Sequence, residues 1–336
     1  MTWDYYAWLT CRGHGEETPT AWALSSGFVD HLSKCFLEAE IERLEAEEAN
    51  NRERRRQAED KKTILRKMYM QKASCRFPIK LYPQFHQIDF APLSSWAWLG
   101  LQVDFELLTP WYSKDDRVFH VMDNPVRKDR VFGVPFMAGS SWKGMLRWAC
   151  RVQAGLREHL EQHNGKLDDW RDPDWILHLF GNEKDEEENF HQGALVFYPT
   201  WFDKIGFEVI NPHSRERRAG TQPVYYEVVP PGAKGTLYLL YAPWPGMKPG
   251  ADPKDVPPRL LEAIEALLTT YGISAKRTVG WGTAKILKWR VYRKGKEPQE
   301  ATREEWEREA SEKGRGFWRF FWERKVLPLL KEGCAP

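Results

Sequence analysis

The chain has 336 residues, 42% hydrophobic and 29% charged, with a net charge of +2. That length supports a sizeable core in one large domain or two ordinary ones, and no run reaches the ~20 apolar residues of a membrane helix. A balance so near neutral excludes a uniformly basic nucleic-acid binder, so basic side chains serving that role must gather in a groove. Five cysteines (Cys11, Cys35, Cys75, Cys150, Cys334) are odd in number and lack C-x-x-C spacing. This argues against a disulfide framework or a zinc site and for a reducing, cytoplasmic setting. Met1-Thr-Trp-Asp-Tyr-Tyr6 has neither a basic n-region nor an apolar h-region, so no signal peptide is expected. Most of the 17 tryptophans should anchor the core or a subunit interface, with a few left to stack on bases.

Residues 1–28 show no clear period. From about Asp30 to Lys72, Leu32, Phe36, Leu37, Ile41 and Leu44 recur at helical spacing. The stretch is acidic from Glu38 to Glu48 and basic from Arg52 to Lys67, and Glu48 with Arg52 forms a favourable i,i+4 pair. Asn50-Asn51 is a break signal, so this is one long helix or a helical hairpin, either solvated or an arm that docks a neighbouring subunit. A linker with Pro78, Pro83 and Pro92 precedes a strand over 99–108, in which Leu101, Val103, Phe105 and Leu107 share a face. Thr109-Pro110 ends it, and residues 111–134 form a charged loop long enough to suggest function.

Pro135 and Gly139 mark a turn. Ser140 or Ser141 is expected to cap a helix running from Ser141 to about Leu160. Unpaired N–H groups and the positive dipole end of such a start, with a Gly-Ser-Ser lead-in, favour an anion. Lys143 and Arg147 lie four apart and share one helix face toward a phosphate. A short helix over 175–180, stopped by Gly181, leads to an exposed acidic run over 183–188 and a strand over 194–198. Residues 205–223 run from a strand into a basic loop carrying Arg215, Arg217 and Arg218. Val224–Val229 and Thr236–Tyr241 read as strands around a Pro230-Pro231-Gly232 turn. After a Pro/Gly/Asp linker, Arg259–Tyr271 is an amphipathic helix stopped by Gly272. Lys276-Arg-Thr-Val-Gly-Trp-Gly282 and a strand over 283–292 follow. The aromatic tail (Phe317, Trp318, Phe320, Phe321, Trp322) suggests a protein interface.

From 99 to 292 the order is strand, helix, strands, helix, glycine loop, strand. That is an α+β, ferredoxin-like βαββαβ core with insertions. Its helix-free sheet face is the RNA platform of the RRM class. Residues 1–98 then form an N-terminal helical extension and 293–336 a C-terminal tail.

Three segments carry a resemblance. Gly133-Val-Pro-Phe-Met-Ala-Gly-Ser-Ser-Trp-Lys-Gly-Met-Leu-Arg147, Lys276–Gly282 and Met122-Asp-Asn-Pro-Val126 together resemble the RAMP (repeat-associated mysterious protein) superfamily, the backbone subunits of type III CRISPR effector complexes. Ala138 stands where proline is usual, and Trp142 where leucine or isoleucine is usual. The resemblance implies binding of guide RNA (crRNA) and target RNA, with other RAMP subunits and the large polymerase-like signalling subunit as partners. It implies guide contacts from Ser140, Ser141, Lys143, Arg147, Lys276, Arg277 and the amides at Gly280 and Gly282. The basic loop of Arg215, Arg217 and Arg218 could touch guide, target or a neighbour. It also implies that Asp123 cuts target RNA, as in the repeated backbone subunit. The stretch Trp111-Tyr-Ser-Lys-Asp-Asp-Arg117 replaces the usual glycine-rich run. Ile210-Asn-Pro-His213 with Gln222-Pro223 instead resembles capping members, which mostly lack nuclease activity.

Cleavage by a carboxylate needs a 2′-hydroxyl held in line and a base for its proton. Asp123 is the first candidate, with Asp115, Asp116 and His120 as alternates. A divalent metal (Mg or Mn) on Asp123 would add the missing push. A non-catalytic capping subunit is one alternative. A freestanding ferredoxin-like endoribonuclease that processes guide precursors, working through His120 or His213, is another.

Overall fold

The computed structural model describes residues 26–74, 88–116, 120–129, 133–182, 192–211, 223–244, 255–309 and 316–331. In chain order the helices are α1 (Ser26–Glu48), α2 (Arg52–Ala73), α3 (Gly139–Gln153), α4 (Leu156–Gln162), α5 (Asp174–Phe180), α6 (Val256–Ala266), α7 (Arg303–Glu309), α8 (Phe317–Phe321) and α9 (Leu327–Lys331). The strands are β1 (Leu99–Leu107), β2 (Phe136–Met137), β3 (Leu195–Phe197), β4 (Thr200–Trp201), β5 (Gly206–Ile210), β6 (Val224–Val228), β7 (Lys234–Tyr241), β8 (Ala284–Tyr292) and β9 (Gln299–Thr302). The chain folds into two compact units. One comprises residues 1–81, 112–136 and 202–233; the other comprises 82–111, 137–201 and 234–336. No described helix is long and apolar enough to cross a membrane.

In the larger unit, an antiparallel sheet has the order β3-β7-β1-β8-β9. With α3 between β1 and β3, and α6 between β7 and β8, the first four strands have ferredoxin-like order and direction. Leu101, Val103, Phe105 and Leu107 bury one face of β1, as strand alternation requires. A bulge where β8 faces Asp104 and Phe105 keeps Ile286 and Trp289 both buried on that face. Phe105 meets Trp142 of α3 edge-on, at a centroid distance of 6.2 Å. The Trp142 indole donates to Thr200 Oγ1 at 2.9 Å, and that hydroxyl donates to the Thr236 carbonyl.

The other face is not the open platform expected of an RRM-type sheet. Phe90 is buried and packs on the rings of Tyr198, Tyr238 and Tyr292. An apolar segment before β1 therefore covers aromatics that an open sheet would offer to bases. Further along, Gln102, Asp104, Thr236, Arg290, Tyr292 and Glu300 bond to one another.

Part of the tail packs on the chain's own sheet, while Trp318, Phe320 and Trp322 stay partly exposed. The tail extends the sheet by β9, and Phe321 stacks on Trp289 at 5.4 Å. Phe317 and Phe321 are buried, because the hydrophobic face over β8 offers them a local partner. The helix expected over 141–160 is two: α3 ends at Gln153 with Ala154 as its C-cap, and Gly155 (φ 99°) turns the chain into α4.

In the smaller unit, α1 and α2 form the hairpin. Asn50 takes a left-handed φ of 51°, which asparagine tolerates, and Asn51 Oδ1 accepts the Arg54 amide to cap α2. The charge blocks read along one helix face each other instead: Lys61 meets Glu42 at 2.9 Å, Lys62 bonds Glu40, and Arg55 lies 3.7 Å from Glu47. Buried Ala39, Ala46 and Ala58 let the helices approach closely. Leu32, Tyr69 and Ala73 pack on Val121, Met122 and Ile205. The two strands expected around the Pro230-Pro231-Gly232 turn both form, but they do not pair with each other. β6 pairs with β5, while β7 joins the main sheet, since the Pro-Pro-Gly turn redirects the chain rather than returning it alongside.

Candidate nucleic-acid interface

Two groups of predicted residues lie on separate units. On the smaller unit, Asp123 sits in a segment whose neighbours Val121, Met122, Pro125 and Val126 are buried. Asn124 Nδ2 donates to the Tyr225 carbonyl at 3.2 Å, and the Glu227 amide donates to the Asn124 carbonyl at 3.0 Å. Beneath lies a buried polar cluster. Lys128 Nζ is 2.7 Å from both Glu227 oxygens and 2.8 Å from the Tyr69 hydroxyl. Tyr69 donates to Glu227, and so does the Val126 amide, at 3.0 Å. Burial alone would push the Glu227 carboxyl up. The charges of Lys128 and His120, with the bonds from Lys128 and Tyr69, outweigh burial and hold it below the ordinary carboxylate range.

Above this base, the Asp123 side chain is 56% exposed and accepts Arg66 Nη2 on Oδ1 at 2.9 Å. Arg66 Nε donates to the Val121 carbonyl at 3.3 Å, and its guanidinium lies over Phe36 at 5.1 Å. Sequence reading missed Arg66, which reaches Asp123 across 57 positions. The faint signal available was that Arg66 and Tyr69, three apart on α2, share a face. His120 Nδ1 accepts the Met122 amide at 3.0 Å, and its ring meets Tyr69 edge-on. Asp116 is exposed. Asp115 is buried, and its amide donates to the Pro125 carbonyl at 3.1 Å. Arg215, Arg217, Arg218 and His213 lie outside the described residues.

On the larger unit, α3 starts one residue earlier than either serine. Ala138 is the N-cap, extended and without a side-chain cap bond. Gly139 opens the helix because a Cβ there would lie 2.6 Å from the Phe197 carbonyl oxygen. Ser140 and Ser141 therefore occupy the first turn; the Ser141 amide donates to the Ala138 carbonyl at 3.0 Å, while the Gly139 and Ser140 amides precede the intrahelical ladder. Lys143 is exposed and makes no ion pair among the described residues. Arg147 is committed inward: with Arg151 and the Trp170 indole it holds Asp172, at 2.6 Å for each arginine and 2.9 Å for the indole. Burial raises the Asp172 carboxyl, but the bonds from Arg151, Trp170 and Arg147 prevail and lower it.

The glycine loop has a tight neck and an exposed tip. The Ile273 amide donates to the Gly282 carbonyl at 2.9 Å. Gly282 has φ 88°, and a Cβ there would lie 2.4 Å from the Ser274 nitrogen, so only glycine fits. The Trp111 indole donates to the Ile273 carbonyl at 2.9 Å. Lys276 enters the 3₁₀ turn Arg277–Val279, which Gly280 (φ 82°) ends. The Arg277 guanidinium lies 4.3 Å from the Trp148 ring centroid. Its Nη1 is buried without an acceptor among the described residues, and burial lowers its pKa. Trp281 is half-buried.

His159 of α4 and His163, which caps its C-terminus, stack at 4.0 Å. His159 Nε2 bonds the Asp168 carbonyl, and His163 Nδ1 bonds the His159 carbonyl. Among the described residues, no three His, Cys, Asp or Glu side chains converge to hold a metal. Asp123, with a guanidinium on Oδ1, is the residue that would hold a divalent ion here, since such ions take one or two carboxylates and complete their shell with waters and phosphate oxygens.

A model of the RAMP superfamily matches residues 104–285. No curated protein matches. Among solved structures, the chain is similar to one in a cryo-EM structure of the type III-B Cmr-beta bound to cognate target RNA. The identity is 14% and the TM-score 0.45, over 70% of this chain and 76% of that one. It is also similar to one in a crystal structure of the Csm3-Csm4 subcomplex of the type III-A CRISPR-Cas interference complex. There the identity is 19% and the TM-score 0.36, over 61% and 88% respectively. The family match runs from within β1 to within β8, more than half of the chain. It takes in both sheet-packing helices, the Gly139 turn and the glycine loop, and the chain belongs to the RAMP superfamily.

Proposed function

We propose that this protein is a backbone subunit of a type III CRISPR ribonucleoprotein that grips guide RNA by its phosphates and cuts complementary target RNA through Asp123. Its partners are then guide RNA, target RNA, neighbouring RAMP subunits and the large signalling subunit. One observation carries the cutting half: an exposed carboxylate on a segment whose neighbours are buried and bonded, so that flanking residues hold it while it meets solvent. Sequence-independent gripping suits the larger unit, where the α3 opening turn, Lys143 and the exposed glycine-loop tip offer N–H groups and charge rather than base-reading side chains. Lys276 and Arg277, both part-exposed beside that tip, add positive charge there for a phosphate.

In the reaction, the 2′-hydroxyl beside the scissile phosphate attacks phosphorus. Its proton passes to the Asp123 carboxylate, the P–O5′ bond breaks, and the 5′ oxygen takes a proton from water. The products are a 2′,3′-cyclic phosphate and a 5′-hydroxyl. A divalent metal (Mg or Mn) held by Asp123 would add charge stabilisation at the phosphate. The Arg66 ion pair favours a second reading, in which Asp123 only fastens the hairpin and the subunit caps the complex without cutting.

Asp123→Ala in the assembled complex separates the two. Loss of cutting at one target position, with RNA binding intact, supports the first reading; unchanged cutting at every position supports the second. Specific cleavage of repeat RNA by the isolated chain would replace both with guide-precursor processing.

A further inference from the structure

Arg66 belongs to the N-terminal hairpin, outside the matched span of 104–285, yet it is the cation that touches Asp123. A guanidinium has five N–H donors in a planar fork. Among the described residues Arg66 uses two of them, Nε on the Val121 carbonyl and Nη2 on Asp123 Oδ1. The remaining three sit on a side chain 28% exposed, beside a carboxylate 56% exposed. The head is not free to wander. Phe36 lies under its plane, and three residues on, Tyr69 is locked into the buried Lys128–Glu227 pair. The hairpin thus presents a fixed, partly wet guanidinium at the one exposed carboxylate of this segment. One carboxylate can occupy at most two of the five N–H groups, so the pair with Asp123 leaves this held guanidinium with donors for a second anion.

We infer that Arg66 is a phosphate ligand of the Asp123 site. Its unused N–H groups bind a non-bridging oxygen of the target's scissile phosphate and take up the charge that grows there as the 2′-oxygen attacks. This rests on the cutting role proposed for Asp123. Asp123 takes the proton from the 2′-hydroxyl, and Arg66 keeps its own protons throughout. Two negative groups, carboxylate and phosphate, otherwise meet within a few ångströms, and a shared guanidinium makes their approach favourable. The fork geometry also gives orientation: one edge fixes the base while the other fixes the phosphate.

The test measures single-turnover cutting of a matched target RNA by complexes carrying Arg66→Ala, Arg66→Lys or Asp123→Ala, with target affinity measured in parallel. Arg66→Ala should slow cutting about a hundredfold, as loss of one transition-state donor does, and leave target affinity within about threefold. Arg66→Lys keeps the charge but not the fork and should fall between. Free guanidinium ion should saturably restore the Arg66→Ala complex and do nothing for Asp123→Ala; a collapsed hairpin would not respond to it. If Asp123→Ala is dead while Arg66→Ala cuts within about threefold of wild type, the inference is overturned and the cutting role stands. A slow Arg66→Ala complex that guanidinium cannot restore also overturns it, making Arg66 a structural anchor. Wild-type cutting by Asp123→Ala removes the cutting role and the inference with it.

Discussion

Lys128→Met should be among the most damaging single changes to the smaller unit. Lys128 and Glu227 are 3% and 0% exposed, and Nζ stands 2.7 Å from both carboxylate oxygens. Removing the ammonium leaves a buried carboxylate with the Tyr69 hydroxyl and the Val126 amide as donors. Breaking one side of such a pair costs about 3–5 kcal/mol. Native-state amide exchange of Val126 and of β6 reads that cost directly, as roughly two to four powers of ten in exchange rate. The pH dependence gives a second, opposite-signed readout. In the wild-type protein the Glu227 pKa lies below its unfolded value of 4.5, so the pair's contribution is full above that pH and is lost as pH falls through the folded value. In Lys128→Met, burial goes unopposed by the ammonium, the folded pKa rises above the unfolded one, and the variant gains relative stability on acidification. Lys128→Met/Glu227→Leu should recover most of the loss, short of about 1–3 kcal/mol for the Val126 amide left without an acceptor. A Lys128→Met protein within about 1 kcal/mol of wild type at neutral pH, or one that weakens in acid as wild type does, refutes the reasoning.

Lys143→Ala should weaken RNA binding evenly across sequences and lower the salt slope by about one. Arg147→Ala should instead lower thermal stability, since it strips a cation from the buried Asp172; salt titrations and melting curves of both variants check the contrast. His178, held below its ordinary value by burial, bonds Tyr241 at 2.9 Å. Its contribution is present above the unfolded value of 6.5 and is lost as pH falls through the folded one. Melting temperature should therefore drop between pH 7 and pH 5, and His178→Gln should flatten that drop.

The larger unit was the more legible because its signals are local. Leu101 to Leu107 alternate, the apolar stripe from Leu260 to Leu268 keeps a helical period, and Gly272 stops it as a positive-φ residue. What the sequence hides is pairing at a distance. Val224–Val228 has a strand's composition, but nothing in it says that β5 rather than β7 is its neighbour. The charge blocks at 38–48 and 52–67 were plain, yet i,i+4 reasoning joins Glu48 to Arg52 across what is in fact the turn. The aromatic tail was visible as a cluster in need of cover; its cover, Trp289, lies on the chain's own sheet. Arg147 shows the same limit at a site. The i,i+4 rule places it beside Lys143, but only the fold brings up Asp172, 25 residues on, to claim its charge.

Arg147 also indicates how the proposed RNA-gripping surface would be built on a nearly neutral chain. A basic residue contributes to phosphate binding only by the charge its own protein leaves unspent. Arg147 and Arg151 share a carboxylate 2% exposed, and Lys128 is matched by Glu227, so these cations rigidify the units and add little field outside. Lys143 makes no ion pair among the described residues, and Arg66 keeps three donors beside an exposed carboxylate. Fifty basic and 48 acidic residues thus give no measure of the surface. Its sign is set locally, at the few cations that folding leaves incompletely satisfied, and those are the positions where added salt should weaken RNA binding most.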